Sequence, residues 1–417
     1  MPIQSPGRKN IIFENLYSKN LALLGAFCLF LCTVEYLIPK PMPFMRIGLA
    51  NLPLMLAIDI FPLSAFLVLI CIKVLGQALI TGTLFSYIFL FSLTGTFLSA
   101  LIMFFLRKIF NNKLSDRERI TFIGIGTVGA MVSNISQLAL ARVFIFRDSV
   151  IYIAPVFLLS GLVTGIVLGV FCEIFAQRSQ WYRGEKLSMN NEQRTGNKEE
   201  IKINDDKYER IGEGLGIKGK RLTFFENVFS ARALFITGIF IIPALLFNPG
   251  TEYRVIQYIF FCFLVLLSGK KTNLLLSFFI IVTIIAFNLI IPYGRVIFSA
   301  GPIKITSGAL TAGIHRAVTL CALVMLSKVT VRQDLILPGA FGELLCKSLR
   351  IFSVLMNRKN RITAKNFIDD IDRMMMELGD DVLRPTHVQI TRTKPAGYIV
   401  LISVIIISWL PFLVILL

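Results

Sequence analysis

Apolar segments about as long as a bilayer is thick recur along this 417-residue chain, and a charged stretch from about Gln177 to Arg221 divides them into two groups. A helix needs roughly 20 mainly apolar residues to cross the hydrocarbon core. The first group predicts spans near Leu21–Ile38, Ile47–Phe61, Leu63–Ile80, Leu84–Leu106, Ile120–Phe146 and Ile151–Ala176. The second group predicts spans near Ala233–Phe247, Val255–Ser268, Leu274–Ile291, Leu310–Leu326 and Tyr398–Leu417. The chain is therefore predicted to be an all-α, polytopic membrane protein with about 11 transmembrane helices in two helical modules.

Composition supports a membrane protein and argues against a soluble enzyme. Hydrophobic residues make up 55% of the chain, charged residues only 16%, and the mean hydropathy is +0.73. Soluble domains carry roughly 25% charged residues. The net charge of +18 would by itself suggest nucleic acid as a partner. The Lys and Arg residues lie in loops between apolar segments, however, where they set topology. We therefore expect the lipid bilayer as a partner and no nucleic acid.

The basic loops also predict how the chain is oriented. An even number of predicted spans separates these loops from one another, so they all lie on one side of the membrane. If the N-terminus is cytosolic, that side is the cytosol, where Lys and Arg accumulate. This predicts a multi-pass protein of the inner or cytoplasmic membrane. The predicted parts are a cytosolic N-terminus (1–19), a six-helix module (20–178), a flexible cytosolic linker (179–230) and a second membrane module (231–417) with cytosolic helices near 338–380.

Polar residues inside the predicted spans are the candidate solute site, because ionisable groups in a membrane are costly and usually functional. In the outer half of the first module these are Glu35, Arg46, Asn51, Lys73, Gln77, Asn134, Gln137 and Arg142. A pocket with Arg46, Lys73 and Arg142 would suit a carboxylate or phosphate. The alternative is that Lys73 and Arg142 pair with Glu35 or extend to the membrane interface.

The cytosolic stretch of the second module contains an amphipathic helix from about Thr363 to Leu378. Its apolar residues recur at helical spacing. They include Phe367, Ile371, Met374 and Met375. Such a face predicts docking of another protein; the alternative is a helix lying on the membrane surface.

Several short motifs resemble catalytic or nucleotide-binding signatures without their context. Gly124, Gly126 and Gly129 spell G-x-G-x-x-G inside a predicted span, where small residues serve helix packing. Gly161, Gly165 and Gly169 likewise predict close packing of two helices. Gly214–Arg221 lacks the Ser or Thr of a phosphate loop, and the aspartates from Asp369 to Asp372 lack a second acidic motif. We therefore predict no catalytic residue, metal or cofactor, and expect any ATP hydrolysis to come from partner subunits.

The first module resembles a known family. The stretches MRIGLANLPLML, LGQALITGTLFSYIFLFSLTGTFLSALIMFFL, GTVGAMVSNISQLALA and LLSGLVTGIVLG carry the resemblance, over roughly residues 20–178. They are similar to the Gx transporter family, also labelled heptaprenyl diphosphate synthase component I. That family is similar to the six-helix substrate-binding S components of energy-coupling factor (ECF) transporters. The resemblance implies an S-type fold with an outward-facing ligand site.

The second module resembles the T components of ECF transporters, which are transmembrane scaffolds. The resemblance is carried by GRVIFSAGPIKITSGALTAGIHRAVTL, from Gly294 to Leu320. It implies two cytosolic coupling helices that contact a pair of ATPases. The short Ala-Arg-Gly type motifs of that family are missing here, and the nearest basic cluster is NRKNR around Arg358 and Arg361.

Together these observations predict an ECF-type membrane transport protein, an S-like module fused to a T-like module. It would move a small vitamin-like or anionic solute with ABC-type ATPase subunits. An alternative is a non-catalytic membrane subunit serving isoprenoid, quinone or flavin metabolism. A third possibility is an integral membrane enzyme acting on lipid-linked diphosphates.

Overall fold

The computed structural model describes residues 7–37, 48–110, 120–195, 228–248, 250–270, 272–300, 303–332, 335, 337–358, 366–381, 393 and 395–416. The first half contains helices α1 Gly7–Leu37, α2 Leu52–Ala57, α3 Leu63–Thr81, α4 Tyr87–Phe110, α5 Phe122–Ala141, α6 Val150–Arg178 and α7 Gln180–Thr195. The second half contains α8 Ala231–Leu246, α9 Thr251–Leu267, α10 Leu274–Leu289, α11 Ser307–Thr330, α12 Gly339–Asn357, α13 Phe367–Asp381 and α14 Pro395–Leu416. One antiparallel hairpin, β1 Val296–Ala300 and β2 Ile303–Thr306, lies between α10 and α11.

Helices long and apolar enough to cross a membrane lie in both halves. These segments are Ser18–Glu35, Leu63–Thr81, Tyr87–Phe110, Phe122–Arg178, Ser307–Thr330 and Pro395–Phe412. Two shorter apolar helices are Ala231–Leu246 and Leu274–Leu289. The described residues thus form a largely helical, multi-pass membrane protein, although the structure does not reproduce a count of 11 spans.

The predicted second span is wrong as a membrane-crossing helix. Residues Leu49–Asn51 form a single 3-10 turn, and α2 has only six residues. At 1.5 Å per residue, α2 covers roughly 9 Å, far less than the hydrocarbon thickness. The backbone of Gly48 has φ +88°, a left-handed conformation that glycine adopts without strain. Pro62 is the extended residue directly before α3, so the segment from Gly48 to Pro62 holds only the 3-10 turn and α2.

Helices α5 and α6 pack closely because glycines line their contact. A Cβ on Gly165 would lie 2.8 Å from the carbonyl oxygen of Gly126, and a Cβ on Gly169 would lie 2.4 Å from the Cα of Ile123. Only the lack of a side chain lets the two backbones approach this far. This contact fixes the two helices that form one wall of the cavity described below.

Helix α12 of the second module lies along α1 and α3 of the first. Ser348, in the middle of α12, reaches the position of Gly25 on α1, where a Cβ would lie 2.8 Å from its Oγ. Leu345 belongs to the same apolar cluster as Leu79 at the end of α3, whereas Leu355 joins the core of the first module. Because its early residues meet the end of α3, α12 runs antiparallel to that helix.

Helix α13 also packs on the first module, which corrects the prediction for its apolar face. Ile371, Met374 and Met375 are buried in one cluster with Trp181 and Tyr182 of α7. The ring of Phe367 lies 5.7 Å from that of Phe171 on α6. The predicted docking face is therefore occupied within the chain, and it is not open to a soluble partner.

One end of the first module faces the side of α11. The turn between α3 and α4 meets the last part of that helix, where the backbone N–H of Phe85 donates to Ser327 Oγ at 3.2 Å. The turn between α5 and α6 meets its earlier part, where Arg316 Nη1 donates to the carbonyl oxygen of Ile145 at 3.3 Å. The predicted topology puts Phe85 and Ser327 on opposite sides of the membrane. In this structure the two residues are hydrogen-bonded to each other, so they lie at the same level.

Candidate functional site

A polar cavity lies inside the first module, between α1, α3, α4, α5 and α6. It encloses about 650 Å³ of empty space, including its opening. Its polar lining residues are Glu35, Asn51, Lys73, Gln77, Ser92, Thr96, Ser133, Asn134, Gln137 and Thr164. Its larger apolar lining residues are Cys32, Met55, Met103 and Leu168. Ligand sites typically combine an apolar lining with a small number of placed polar groups, and this cavity has both kinds of residue.

The two charged lining residues are held by the short segment that follows α1. Lys73, only 3% exposed, donates from Nζ to Asn51 Oδ1 in the 3-10 turn. Glu35, 6% exposed, accepts from the backbone N–H of Gly48 at 3.1 Å. The left-handed backbone of Gly48 thus begins a turn that meets both charged side chains. This segment, predicted as a span, is instead part of the cavity wall.

The amides on α5 form the opposite wall, and two glycines make room for them. Asn134 Nδ2 donates to the carbonyl oxygen of Phe157 on α6 at 2.7 Å, and Gln137 Nε2 donates to Ser133 Oγ at 3.0 Å. A Cβ on Gly161 would lie 2.3 Å from Asn134 Nδ2, and a Cβ on Gly95 would lie 3.0 Å from Gln137 Nε2. Gly161 therefore leaves room for the side chain of Asn134, and it also lets α6 pack closely on α5.

The structure brings together six of the eight residues predicted from the sequence. Glu35, Asn51, Lys73, Gln77, Asn134 and Gln137 all line the cavity. Arg142 does not line it: it begins a π-helical turn, Arg142–Phe146, and its exposed side chain pairs with Asp148 at 2.9 Å. Arg46 lies outside the described residues.

Hydroxyl side chains are the lining residues that sequence analysis missed. Ser92, Thr96, Ser133 and Thr164 carry no charge, and such residues are common in membrane helices because they bond to their own helix backbone. Thr164 does so, donating to the carbonyl oxygen of Gly161 at 3.2 Å. The one available signal was spacing, since Ser92 and Thr96 lie one helical turn apart on the same face.

The polar lining of the cavity offers hydrogen bonds and one charge of each sign. It provides one amine, one carboxylate, four amides and four hydroxyls. These groups offer many hydrogen-bond donors and acceptors. Among the residues that the structure describes, no group of three or more His, Cys, Asp or Glu side chains is placed to hold a metal ion.

A second polar cluster lies at the other end of the first module and fixes α7. Asp59 accepts two hydrogen bonds from Arg107, at 2.9 and 2.8 Å, and a third from Tyr182 Oη at 3.1 Å. Lys186 lies 3.4 Å from the same carboxylate. Burial acts to raise the pKa of Asp59, but Arg107 and Lys186 outweigh it and hold that pKa below its usual value. Burial, together with the Asp59 charge, raises the pKa of the Tyr182 phenol. Asp59 is thus a fully paired structural group.

Asn288 at the end of α10 and Arg316 on α11 connect the second module to the first. Asn288 Nδ2 and Arg316 Nη1 both donate to the carbonyl oxygen of Ile145, and Arg316 also donates to Asn288 Oδ1 at 3.0 Å. Ile145 belongs to the π-helical turn. A Cβ on Gly308 would lie 2.7 Å from the carbonyl oxygen of Tyr293, so this glycine lets α11 meet the preceding turn.

The fold and the cavity together define a multi-pass helical membrane protein with an internal polar site. A family model described as heptaprenyl diphosphate synthase component I matches residues 24–175. This is the family that the first module was expected to resemble. A second model, described as a domain of unknown function (DUF8519), matches residues 231–333. No curated protein and no solved structure matches the chain.

Proposed function

We propose that this chain is the membrane part of an ECF-type transport system. Its first module binds a small solute in the polar cavity, and its second module is a T-like scaffold that connects the first to ABC-type ATPase subunits. The observation that carries this proposal is the burial of Lys73 and Glu35 beside one cavity within apolar helices.

The cost of these buried groups favours a binding role. A charged group in a membrane helix is expensive, and it is usually retained for a ligand or ion. A structural ion pair alone would not need the hydroxyl and amide groups of Ser92, Gln77 and Asn134 around the same space. We infer a small polar solute that uses both donors and acceptors, with any negative charge near Lys73. Since Arg142 lies elsewhere, the cavity is less cationic than the sequence predicted.

The packing of α12 supplies a mechanical connection to the cavity. Helix α12 lies on α1, which carries Glu35, and on α3, which carries Lys73. A force applied to α12 would therefore reach both charged residues through packed side chains. We propose that ATPases contact the exposed polar sides of α12 and α13, which include Glu343, Asn357, Asp369 and Arg373. The Phe and Met face of α13 holds the first module instead.

The position of the first module suggests how solute access changes. Its end with Phe85 and Ile145 faces the side of α11. Loading from outside would therefore require that end to leave α11 and turn toward the outer surface. We propose that ATP use by the partner subunits drives this reorientation.

A second candidate function is favoured by the description of the matching family model. In that case the chain would be a non-catalytic membrane subunit for isoprenoid, quinone or flavin metabolism. Affinity purification of the full chain from native membranes, followed by quantitative mass spectrometry, separates the two. The transport proposal predicts an ABC-type ATPase pair in near-stoichiometric amount. A stoichiometric soluble prenyl synthase without ATPases would support the second candidate, and neither partner would contradict both.

A further inference from the structure

The turn between α5 and α6 is held by the second module through the carbonyl oxygen of Ile145. This oxygen accepts from Asn288 Nδ2 at 3.2 Å and from Arg316 Nη1 at 3.3 Å. The last carbonyls of a helix have no partner within it, and the π-helical turn that contains Ile145 ends at Phe146. The second module therefore supplies donors that this helix end lacks.

The donors on the second module are oriented by one another. Asn288 Nδ2 also donates to a carbonyl of its own helix at 2.8 Å, and Asn288 Oδ1 accepts from Arg316 Nη1 at 3.0 Å. The amide of Asn288, only 6% exposed, is thus fixed with one N–H directed at Ile145. Beside this contact, the ring of Phe146 lies 5.6 Å from that of Phe287 on α10. Ile145 and Phe146 are therefore both held by α10, just before the chain turns toward α6.

The residue that follows them carries backbone strain. Arg147 has φ +50° and ψ −130°, and it is the one non-glycine residue with positive φ in the part of the chain that the structure describes. A side chain in this region costs free energy because its Cβ crowds the backbone, and such strain persists only where surrounding contacts enforce it. Contacts of this kind lie directly before Arg147, where α10 and α11 hold Ile145 and Phe146.

We propose that Ile145, Asn288 and Arg316 form a releasable latch between the modules, and that Arg147 stores strain which is relieved when the latch opens. This inference rests on the reorientation of the first module in the proposed function. Hydrogen bonds to a helix end suit a latch, because the Ile145 carbonyl can exchange them for bonds to water. The strain lowers the cost of opening, so the docked state, in which Ile145 lies on α10 and α11, can be left.

The test measures how far apart the modules lie in the full chain, reconstituted in lipid nanodiscs. Spin labels are introduced as noncanonical residues at Leu159 on α6 and Ile256 on α9, which are both exposed. Pulsed electron paramagnetic resonance then gives the ratio of docked to undocked chains. Asn288→Ala combined with Arg316→Met removes both donors of the latch. Asn273→Ala is the matched control, because Asn273 caps the opposite end of the same helix.

The latch predicts two shifts of opposite sign. The docked-to-undocked ratio should fall by roughly ten- to a hundredfold in the Asn288→Ala, Arg316→Met chain, because a charged hydrogen bond is lost. Adding Arg147→Gly to that chain should raise the ratio by roughly five- to a hundredfold, because glycine adopts this φ without strain. Arg147→Ala keeps the Cβ and removes only the charge, so it should leave the ratio unchanged.

Thermal unfolding shows which variants are folded, and Asn288→Ala alone, which should lower the ratio less, replaces the pair if the pair fails to fold. An unchanged distance distribution without the donors would overturn the latch, as would equal undocking by Asn273→Ala. If Arg147→Ala raised the ratio as much as Arg147→Gly, charge rather than strain would be responsible, and stored strain would be refuted.

Co-purification of ATPases with the same chains separates this inference from the proposed function. ATPases retained with an unchanged distance distribution would refute the latch alone. Absence of ATPases from the parent would refute the proposed function, whatever the distances between the labels.

Discussion

The carboxylate of Asp372 accepts a hydrogen bond from the backbone N–H of Gln180 at 2.9 Å. The same carboxylate accepts from the backbone N–H of Trp181 and from the hydroxyl of Ser179. These donors belong to the first turn of α7, whose backbone N–H groups have no partner within the helix. Asp372 on α13 thus caps a helix 192 residues away and joins the two halves of the chain.

Replacing Asp372 should loosen α7. We expect Asp372→Ala to lower the free energy of unfolding by about 1 kcal/mol, the usual cost of a lost helix cap. Amide hydrogen exchange over residues 180–188 should become faster. Asp369→Ala is the matched control, because Asp369 is exposed on the same helix. Equal exchange in the two variants would show that the cap contributes nothing.

Adjacent methionines on α13 should differ strongly in how much a charge at each position destabilises the chain. Met375 is 1% exposed and Met376 is 49% exposed. Met375→Asp should destabilise the chain by about 3 kcal/mol or more, because it buries an unpaired carboxylate. Met376→Asp should change stability by no more than roughly 0.5 kcal/mol. Thermal unfolding in detergent measures both. If Met375→Asp unfolds like the parent but loses a partner protein, this face serves external docking after all.

The Asp59 cluster should make stability depend on pH. In the folded chain the pKa of Asp59 lies below its usual value. The stability that Asp59 contributes is therefore complete at pH values above the usual pKa of Asp, and it is lost as pH falls through the folded-state pKa. Asp59→Asn at neutral pH should cost about 3–5 kcal/mol, because Arg107 loses its buried partner. The difference in stability between parent and variant should shrink as pH is lowered below roughly 4.

The exposed pair Arg142 and Asp148 is the control for this measurement. Its side chains are 67% and 72% exposed. Asp148→Asn should therefore cost at most about 1 kcal/mol, as for other surface ion pairs. A loss as large as that of Asp59→Asn would mean that burial is not what distinguishes the two carboxylates.

Glycine substitutions should separate helix contact from helix propensity. Gly165→Ala puts a Cβ 2.8 Å from backbone atoms of α5, so it should destabilise the chain by about 1–3 kcal/mol. Gly184→Ala meets nothing within 4 Å and should stabilise α7 by up to about 1 kcal/mol. Thermal unfolding of the two variants should show shifts of opposite sign. Shifts of the same sign would argue against the close contact of α5 and α6.

The cavity residues that could be predicted are those whose polarity is costly in a membrane. Lys73 and Asn134 stood out because each interrupts an apolar helix. Arg142 was misplaced because it follows Gln137 by five residues, which at 3.6 residues per turn puts it on a different side of the helix, where it pairs with Asp148. Hydroxyl residues such as Thr164 were missed because their hydroxyl groups can bond to the backbone of their own helix, and they change the hydropathy of a span very little.

Packing between distant segments accounts for the other differences. Helical spacing predicted an apolar face containing Ile371 and Met375, and the face exists. Spacing could not say what covers it, because the covering residues Trp181 and Tyr182 lie almost 200 positions earlier. In the same way, apolar length predicted a span near Ile47–Phe61, whereas the left-handed Gly48 and Pro62 shorten that segment to a brief helix.

The central claim, that the first module binds a small solute through Lys73, is tested most directly by native mass spectrometry of the chain released from nanodiscs. The parent should carry a small-molecule adduct. Lys73→Met should lower its occupancy by about ten- to a hundredfold, because a charged hydrogen bond is lost. Arg142→Gln removes a charge away from the cavity and should leave the adduct unchanged. The account would be contradicted if the parent and Lys73→Met carried the same small molecules to the same extent.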